Sequence, residues 1–182
     1  KSKSKGFVLS LSGGADSSSI AILVSEMIKR GIEELGVPAF LKKINIDFQP
    51  ITENPVKEIT GQLLVTAYQG TKNSSEGTFE SARYLAESIG ATFYNWEITE
   101  EVASYTQKIE KALNRELTWE QDDIALQNIQ ARARSPIIWM LANIKNSLLL
   151  TTSNRSEGDV GYATMDGDTS GSLSPIAAVD KH

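Results

Sequence analysis

FVLSLSGGADSSS, residues 7–19, joins an apolar run to a glycine-serine turn and then to a helical pattern. Phe7, Val8, Leu9 and Leu11 have the continuous apolar character of a strand buried on both faces. Gly13 and Gly14 let the following turn expose successive backbone N–H groups. The helix predicted over Ser18 to Arg30, stopped by Gly31, points its positive end at the same place. Ser12 and Ser17 add hydroxyl donors. Asp16 alone would repel phosphate, and it makes sense there if it holds a magnesium ion that bridges to phosphate oxygens. The segment predicts a pyrophosphate cradle, the plainer alternative being an ordinary Gly-Ser turn between strand and helix. A Walker A loop needs a Gly-Lys-Ser/Thr ending and a dinucleotide fingerprint three spaced glycines; neither is present.

The 182 residues, 40% hydrophobic and 23% charged, suit one α/β domain with a real core. A net charge of -5 and a pI near 5.0 argue against a general nucleic-acid surface, so a polyphosphate must be met by local donors and metal. No apolar run reaches the roughly 18 residues of a membrane span and no signal-peptide pattern opens the chain, so a cytoplasmic location is expected. With no cysteine, thiolate chemistry and disulfides are excluded. The single histidine is His182, which is read as having no catalytic role. Lys1, Lys3 and Lys5 alternate with serines like a solvated linker, and the chain is expected to be a fragment, with residues 1–6 a junction and 7–182 the domain.

Further strands are predicted at Leu63 to Tyr68, Thr92 to Ile98 and Asn146 to Thr152, with helices at Thr78 to Ile89, Thr99 to Leu113 and from Trp119. Gly36 to Glu58 and Gln69 to Gly77 are read as loops. The alternation predicts a Rossmann-like, mostly parallel sheet with helices on both faces and ligands beyond the strands' carboxyl ends. Thr118 and Gln121 form a capping-box pair for a helix carrying Asn128, Gln130, Arg132 and Arg134, bent at Ser135-Pro136. Asn128 and Arg132, four apart, make an amide–guanidinium pair suited to a carboxylate or phosphate, or else a solvated face. Beyond the fourth strand, which is read as lying next to the first, TSNRSE (152–157) and GYATMDGD (161–168) are read as binding loops. There the Glu157 carboxylate could meet the same magnesium as Asp16, unless the stretch is only polar surface.

SGGADS resembles the SGGxDS loop of the N-type ATP pyrophosphatases, with the adenine nucleotide alpha hydrolase-like fold. TSNRSE with VGYATMDGD, GTKNSS at Gly70 to Ser75, and ALQNIQARAR at Ala125 to Arg134 resemble the synthetase part of the glutamine-dependent NAD synthetase family. The resemblance runs from about Phe7 to Lys181. It implies a carbon–nitrogen ligase that amidates deamido-NAD to NAD, consuming ATP and releasing AMP and pyrophosphate. It further implies that Ser10, Ser12, Gly13, Gly14, Asp16, Ser17 and Thr152 bind ATP or pyrophosphate, and that Asp16 and Glu157 bind Mg2+. Lys181 would neutralise phosphate charge, and Asn128, Arg132 and Asp168 would reach deamido-NAD. A homodimer is implied as well. The family's glutaminase part relies on a cysteine that this chain lacks, so ammonia is expected from an upstream amidohydrolase domain. Met165 stands where ammonia-dependent relatives carry lysine, and Thr66 near an ATP-binding arginine of some relatives. The rival readings are a GMP synthetase-like or tRNA-modifying pyrophosphatase and a non-catalytic adenine-nucleotide-binding module.

Overall fold

Val8 and Leu9 are adjacent in sequence, have no solvent exposure, and point to opposite faces of a sheet. In the computed structural model, which describes residues 3–181, this places β1 (Phe7–Ser10) between two apolar layers. β2 (Leu64–Gly70) and β4 (Leu148–Leu150) flank it, and β3 (Thr92–Glu97) lies outside β2, giving an all-parallel sheet of order β3-β2-β1-β4. Leu9, Leu64 and Leu150 pack on one face with α1 (Ala15–Leu35), α2 (Val37–Ile44), α3 (Pro55–Leu63) and α4 (Glu76–Ile89). Val8, Val65, Ala67 and Leu149 pack on the other with α6 (Trp119–Lys145). The helices on both faces and the position of β4 beside β1 are as the sequence predicts. α1 buries Ile20, Ala21, Val24 and Ile28 at helical spacing. Each fully buried Ile or Val contributes about 1.5–3 kcal/mol. His182, like Lys1 and Ser2 of the expected linker, lies outside the described residues. Lys5 donates its N–H to the Asn146 carbonyl, and the Lys3 carbonyl accepts from Asn146 Nδ2.

Several expected boundaries are corrected. Gly31 does not stop α1, which begins three residues earlier than Ser18 and runs on to Leu35. A Cβ at Gly31 would overlap the Phe40 ring, so this glycine serves the close approach of α2. The expected loop over Gly36 to Glu58 contains α2 and the start of α3. Pro38 and Pro55 sit in first turns, where the missing N–H costs nothing, and the Asn54 side chain accepts from Lys57 N–H. The strand expected at Leu63 to Tyr68 runs one residue later and continues through Gly70, because Leu63 closes α3. The Gln69 to Gly77 loop shrinks accordingly, since the Ser75 hydroxyl caps α4 by accepting from Thr78 N–H at 3.2 Å. The fourth strand is shorter than Asn146 to Thr152. Asn146 caps α6 in the left-handed conformation, and Thr151 N–H bonds the Leu173 carbonyl. Residues expected in a binding loop form α7 (Arg155–Val160), capped by Asn154.

α5 (Thr99–Leu113) meets α6 through a turn whose chemistry also differs from expectation. The Thr118 side chain makes no capping bond. Instead the Asp122 carboxylate accepts from Arg115 at 2.7 and 2.8 Å and from Thr118 N–H at 3.0 Å. The helix is kinked there, with Asp122 at φ -123°, ψ 19°, whereas Pro136 sits within helical backbone. The Arg115 bonds, then that of Thr118, hold the Asp122 pKa down to about 2. Its contribution is therefore fully present above the ordinary carboxyl pKa of 3.8 and lost as pH falls through about 2. Amide exchange at Thr118 is expected to accelerate between pH 4 and pH 2 beyond that of unpaired reference amides; equal protection at both pH values would contradict this anchor.

Candidate active site

β1 lies between β2, to which the chain runs first, and β4, to which it returns after β3, so the winding direction of the sheet reverses between β1 and β4. A crevice opens at such a reversal. The SGGADS turn borders it from β1, and the segment following β4 borders it from the other side. In the turn, Ser12 N–H donates to Ser17 Oγ at 3.2 Å, the two serine hydroxyls are 3.1 Å apart, and Ser17 Oγ donates to the Gly14 carbonyl at 3.2 Å. Gly14 N–H donates to Ser12 Oγ at 3.3 Å. Gly13 has φ +80°, and a Cβ there would overlap the Thr78 carbonyl. Gly14 caps α1 without a side-chain bond, leaving the first turn's N–H groups and the positive dipole end directed at the crevice.

Two carboxylates converge beside this turn. Asp16 comes from the first turn of α1 and Glu157 from the first turn of α7, and both meet the Lys181 ammonium, at 2.7 Å and 2.8 Å. Lys181 N–H is held by Ser156 Oγ at 2.8 Å. The bonds to Asp16 and then to Glu157 raise the lysine pKa well above its ordinary value, so the ammonium stays charged. Asn154 positions Glu157 by accepting its N–H at 3.0 Å, while Asn154 Nδ2 is buried without a partner among the described residues. A pair of carboxylate oxygens sharing one cation is chemically suited to magnesium, which takes one or two protein carboxylates and completes its shell with phosphate oxygens and water. No group of three or more acidic, histidine or cysteine side chains among the described residues offers a fuller metal cage.

Between the turn, β2, α6 and the segment after β4 lies a cavity of about 370 Å³, whose lining includes Ser10, Ser12, Thr152, Asp168 and Arg134. Buried Gln69 links the strand ends here, donating from Nε2 to Ser10 Oγ at 3.1 Å and accepting from Trp96 Nε1 at 3.2 Å. Asn128 and Arg132 do share a face of α6, but they hold the loop 162–170. Asn128 Oδ1 accepts from Thr164 Oγ1 at 3.0 Å and Arg132 Nε donates to the Met165 carbonyl at 2.9 Å. Both border a second cavity of about 600 Å³ between α5 and α6. Asp168 therefore lies in a different cavity from the two residues grouped with it by resemblance; its Oδ2 accepts from Thr164 N–H at 3.2 Å. Thr66 is fully buried and donates to the Thr92 carbonyl, and the Met165 side chain is exposed.

Arg134, Gln69 and Thr151 were not singled out as site residues from the sequence. For Arg134 a signal existed: it shares a stripe with Ala131 and Ile138, so a cation stands on the sheet-facing side of α6. Thr151 Oγ1 donates to the Asp168 carbonyl at 2.7 Å, which fixes the loop over the cavity, and nothing in its own segment announces that partner.

A parallel sheet with helices on both faces and a glycine turn at its switch point defines an α/β domain of the adenine nucleotide alpha hydrolase-like fold. The chain belongs to the NAD synthase family, whose model matches residues 1–182. It is 34% identical to the glutamine-dependent NAD(+) synthetase of Oryza sativa subsp. indica over 200 residues, covering 100% of this chain and 27% of that protein. The crystal structure of a glutamine-dependent NAD(+) synthetase from Cytophaga hutchinsonii superposes with a TM-score of 0.94 at 62% identity, over 99% of this chain and 32% of that one. The Acinetobacter baumannii glutamine-dependent NAD+ synthetase, solved with ADP, gives a TM-score of 0.72 at 26% identity, over 99% and 28%. The chain thus spans about a third or less of these relatives. No described helix is long and apolar enough to cross a membrane.

Proposed function

We propose that this chain is the ATP-pyrophosphatase domain of a cytoplasmic, glutamine-dependent NAD synthetase, with residues 1–6 joining it to an amidohydrolase domain that supplies ammonia. The observation that carries the reading is the convergence of Asp16 and Glu157 on one cation beside the SGGADS turn. A turn of this kind alone serves many nucleotide sites. Two carboxylates at its edge suit a metal-bridged polyphosphate that is to be cleaved, not merely held.

The reaction needs positioned charge more than a nucleophilic side chain. A carboxylate oxygen of deamido-NAD attacks the α-phosphorus of ATP, and the bond from that phosphorus to the bridging oxygen breaks. Pyrophosphate departs with the electron pair. Ammonia then attacks the acyl carbon, the bond to the AMP oxygen breaks, and the nitrogen sheds a proton to give the neutral amide of NAD. The N–H groups of the turn and the Ser12 and Ser17 hydroxyls receive the charge of the departing pyrophosphate, while Ser10 and Thr152 line the nucleotide cavity. Asp16 and Glu157 are the residues that would hold magnesium, whose charge would offset that of the polyphosphate. The Lys181 ammonium, beside both carboxylates, would neutralise phosphate charge.

Asn128, Arg132 and Asp168 are proposed to contact deamido-NAD. The cavity between α5 and α6 is bordered by half-exposed Ile109 and by Ile124, which is 70% exposed, apolar surface suited to a two-fold contact between copies. The adenylation route is tested with deamido-NAD carrying 18O in its carboxylate. One labelled oxygen is expected in AMP after turnover of the full-length protein, and unlabelled AMP beside labelled NAD would rule out carboxylate attack on phosphorus.

A further inference from the structure

Arg134 has no role in the scheme above, yet it is the one cationic side chain among the described residues lining the nucleotide cavity. Its guanidinium is half-buried. Nε donates to the Gln69 carbonyl at 3.1 Å and Nη1 to the Gln130 carbonyl at 3.0 Å, both neutral acceptors. No ion pair to it forms among the described residues, and Nη2 makes no hydrogen bond among them. Burial lowers its pKa from the ordinary arginine value, with the charge of Asp168 the largest opposing influence. A guanidinium has five donor hydrogens and cannot discharge itself by losing a proton. Half-buried and, among the described residues, bonded to two backbone carbonyls, it is a cation with unused donors facing the cavity.

The chemistry narrows which anion it meets. The turn and the first turn of α1 are assigned to the departing pyrophosphate, at the edge where Asp16, Glu157 and Lys181 gather. The acceptor brings a carboxylate, so two anions must approach at the α-phosphorus, and no other lining side chain of the cavity carries positive charge there. We propose that Arg134 is a catalytic residue that binds a non-bridging oxygen of the α-phosphate of ATP and stabilises the charge gathered on it during carboxylate attack. The proposal rests on the functional reading above. Its bonds to Gln69 and Gln130 hold the guanidinium in place before substrate arrives, which is how a charge-stabilising donor works without reorganising.

The test uses Arg134→Met and Arg134→Lys in the full-length protein, with four readouts: single-turnover pyrophosphate release, affinity for magnesium with α,β-methylene ATP, affinity for deamido-NAD, and the melting temperature. Arg134→Met is expected to slow pyrophosphate release about 100- to 1000-fold, the usual worth of one such donor. It should weaken the ATP analogue several-fold and leave deamido-NAD affinity within a factor of two. Arg134→Lys is expected to fall between, and added methylguanidinium to restore part of the Arg134→Met rate. Unchanged release in both variants would overturn the proposal, leaving Arg134 as a tie between α6 and β2. Lost deamido-NAD affinity with ATP-analogue binding intact would overturn it in favour of the acceptor's carboxylate. If Arg134→Met fails to fold, Arg134→Lys decides: slowed release with an unchanged melting temperature supports the role, and full release refutes it. Should the unaltered protein release no pyrophosphate with deamido-NAD, the functional reading fails, and the ATP-analogue affinities still report on the α-phosphate contact.

Discussion

Asp16→Asn in the full-length protein is expected to reduce pyrophosphate release by about 1000-fold while shifting the melting temperature by no more than a few degrees. Asparagine keeps the shape of the side chain and removes the charge that, with Glu157, would hold a divalent cation under the proposed function. Losing one anionic ligand removes several kcal/mol of phosphate charge stabilisation. The effect on folding is small for a separate reason. The Lys181 side chain is 47% and that of Asp16 25% exposed, and ion pairs so open to solvent are worth little to stability. Steady-state release across a magnesium titration distinguishes the effects: the variant should need more magnesium and still reach a lower plateau. Retention of more than a tenth of the activity at ordinary magnesium would mean that the carboxylate pair is structural.

Gly13→Ala is expected to damage both the fold and ATP binding. At φ +80° a side chain is strained by about 1–2 kcal/mol, and the added Cβ would overlap the Thr78 carbonyl, which belongs to the backbone of α4 and cannot swing aside. Either the turn or α4 must move, and the turn carries the serine hydroxyl network. A loss of about 2–4 kcal/mol in unfolding free energy with at least a tenfold weaker ATP affinity is the expected outcome, by denaturant titration and calorimetry. Gly14→Ala provides the comparison: Gly14 has φ -85°, and its Cβ would meet only the Ser12 hydroxyl at 3.3 Å. Its cost in stability should be well below that of Gly13→Ala. Equal losses would show that the turn geometry is not the cause.

The two glycines are identical to a reader of the sequence, and only the packing against α4 separates them. The strand-turn-helix from Phe7 onward was legible because apolar run, glycines, cap and helical period all agree over one short stretch. The convergence of Glu157 with Asp16 was legible too, since it follows from β4 lying beside β1 in a parallel sheet. What could not be read depends on distant partners. Pro38 and Pro55 look like loop punctuation until the helices they open find Leu41 and Ile59 to bury. Gly31 looks like a stop until Phe40 fills its place. The Thr118-Gln121 capping pair loses to Asp122, which gains Arg115 from the turn after the preceding helix. Asn128 and Arg132 were paired correctly on one face, but the partners they hold, Thr164 and Met165, lie more than thirty residues on. Arg134, two residues from Arg132, turns to the other side of α6 and reaches the cavity beside the SGGADS turn.

The central claim is that the carboxylate pair and the SGGADS turn cleave ATP for the sake of a dinucleotide acceptor. Its most direct test is pyrophosphate release by the full-length protein with ATP, magnesium and ammonium, comparing deamido-NAD, xanthosine monophosphate and no acceptor. The account predicts release that depends on deamido-NAD and yields NAD and AMP in equal amounts. Release that follows xanthosine monophosphate, or that never rises above the no-acceptor background, would contradict it.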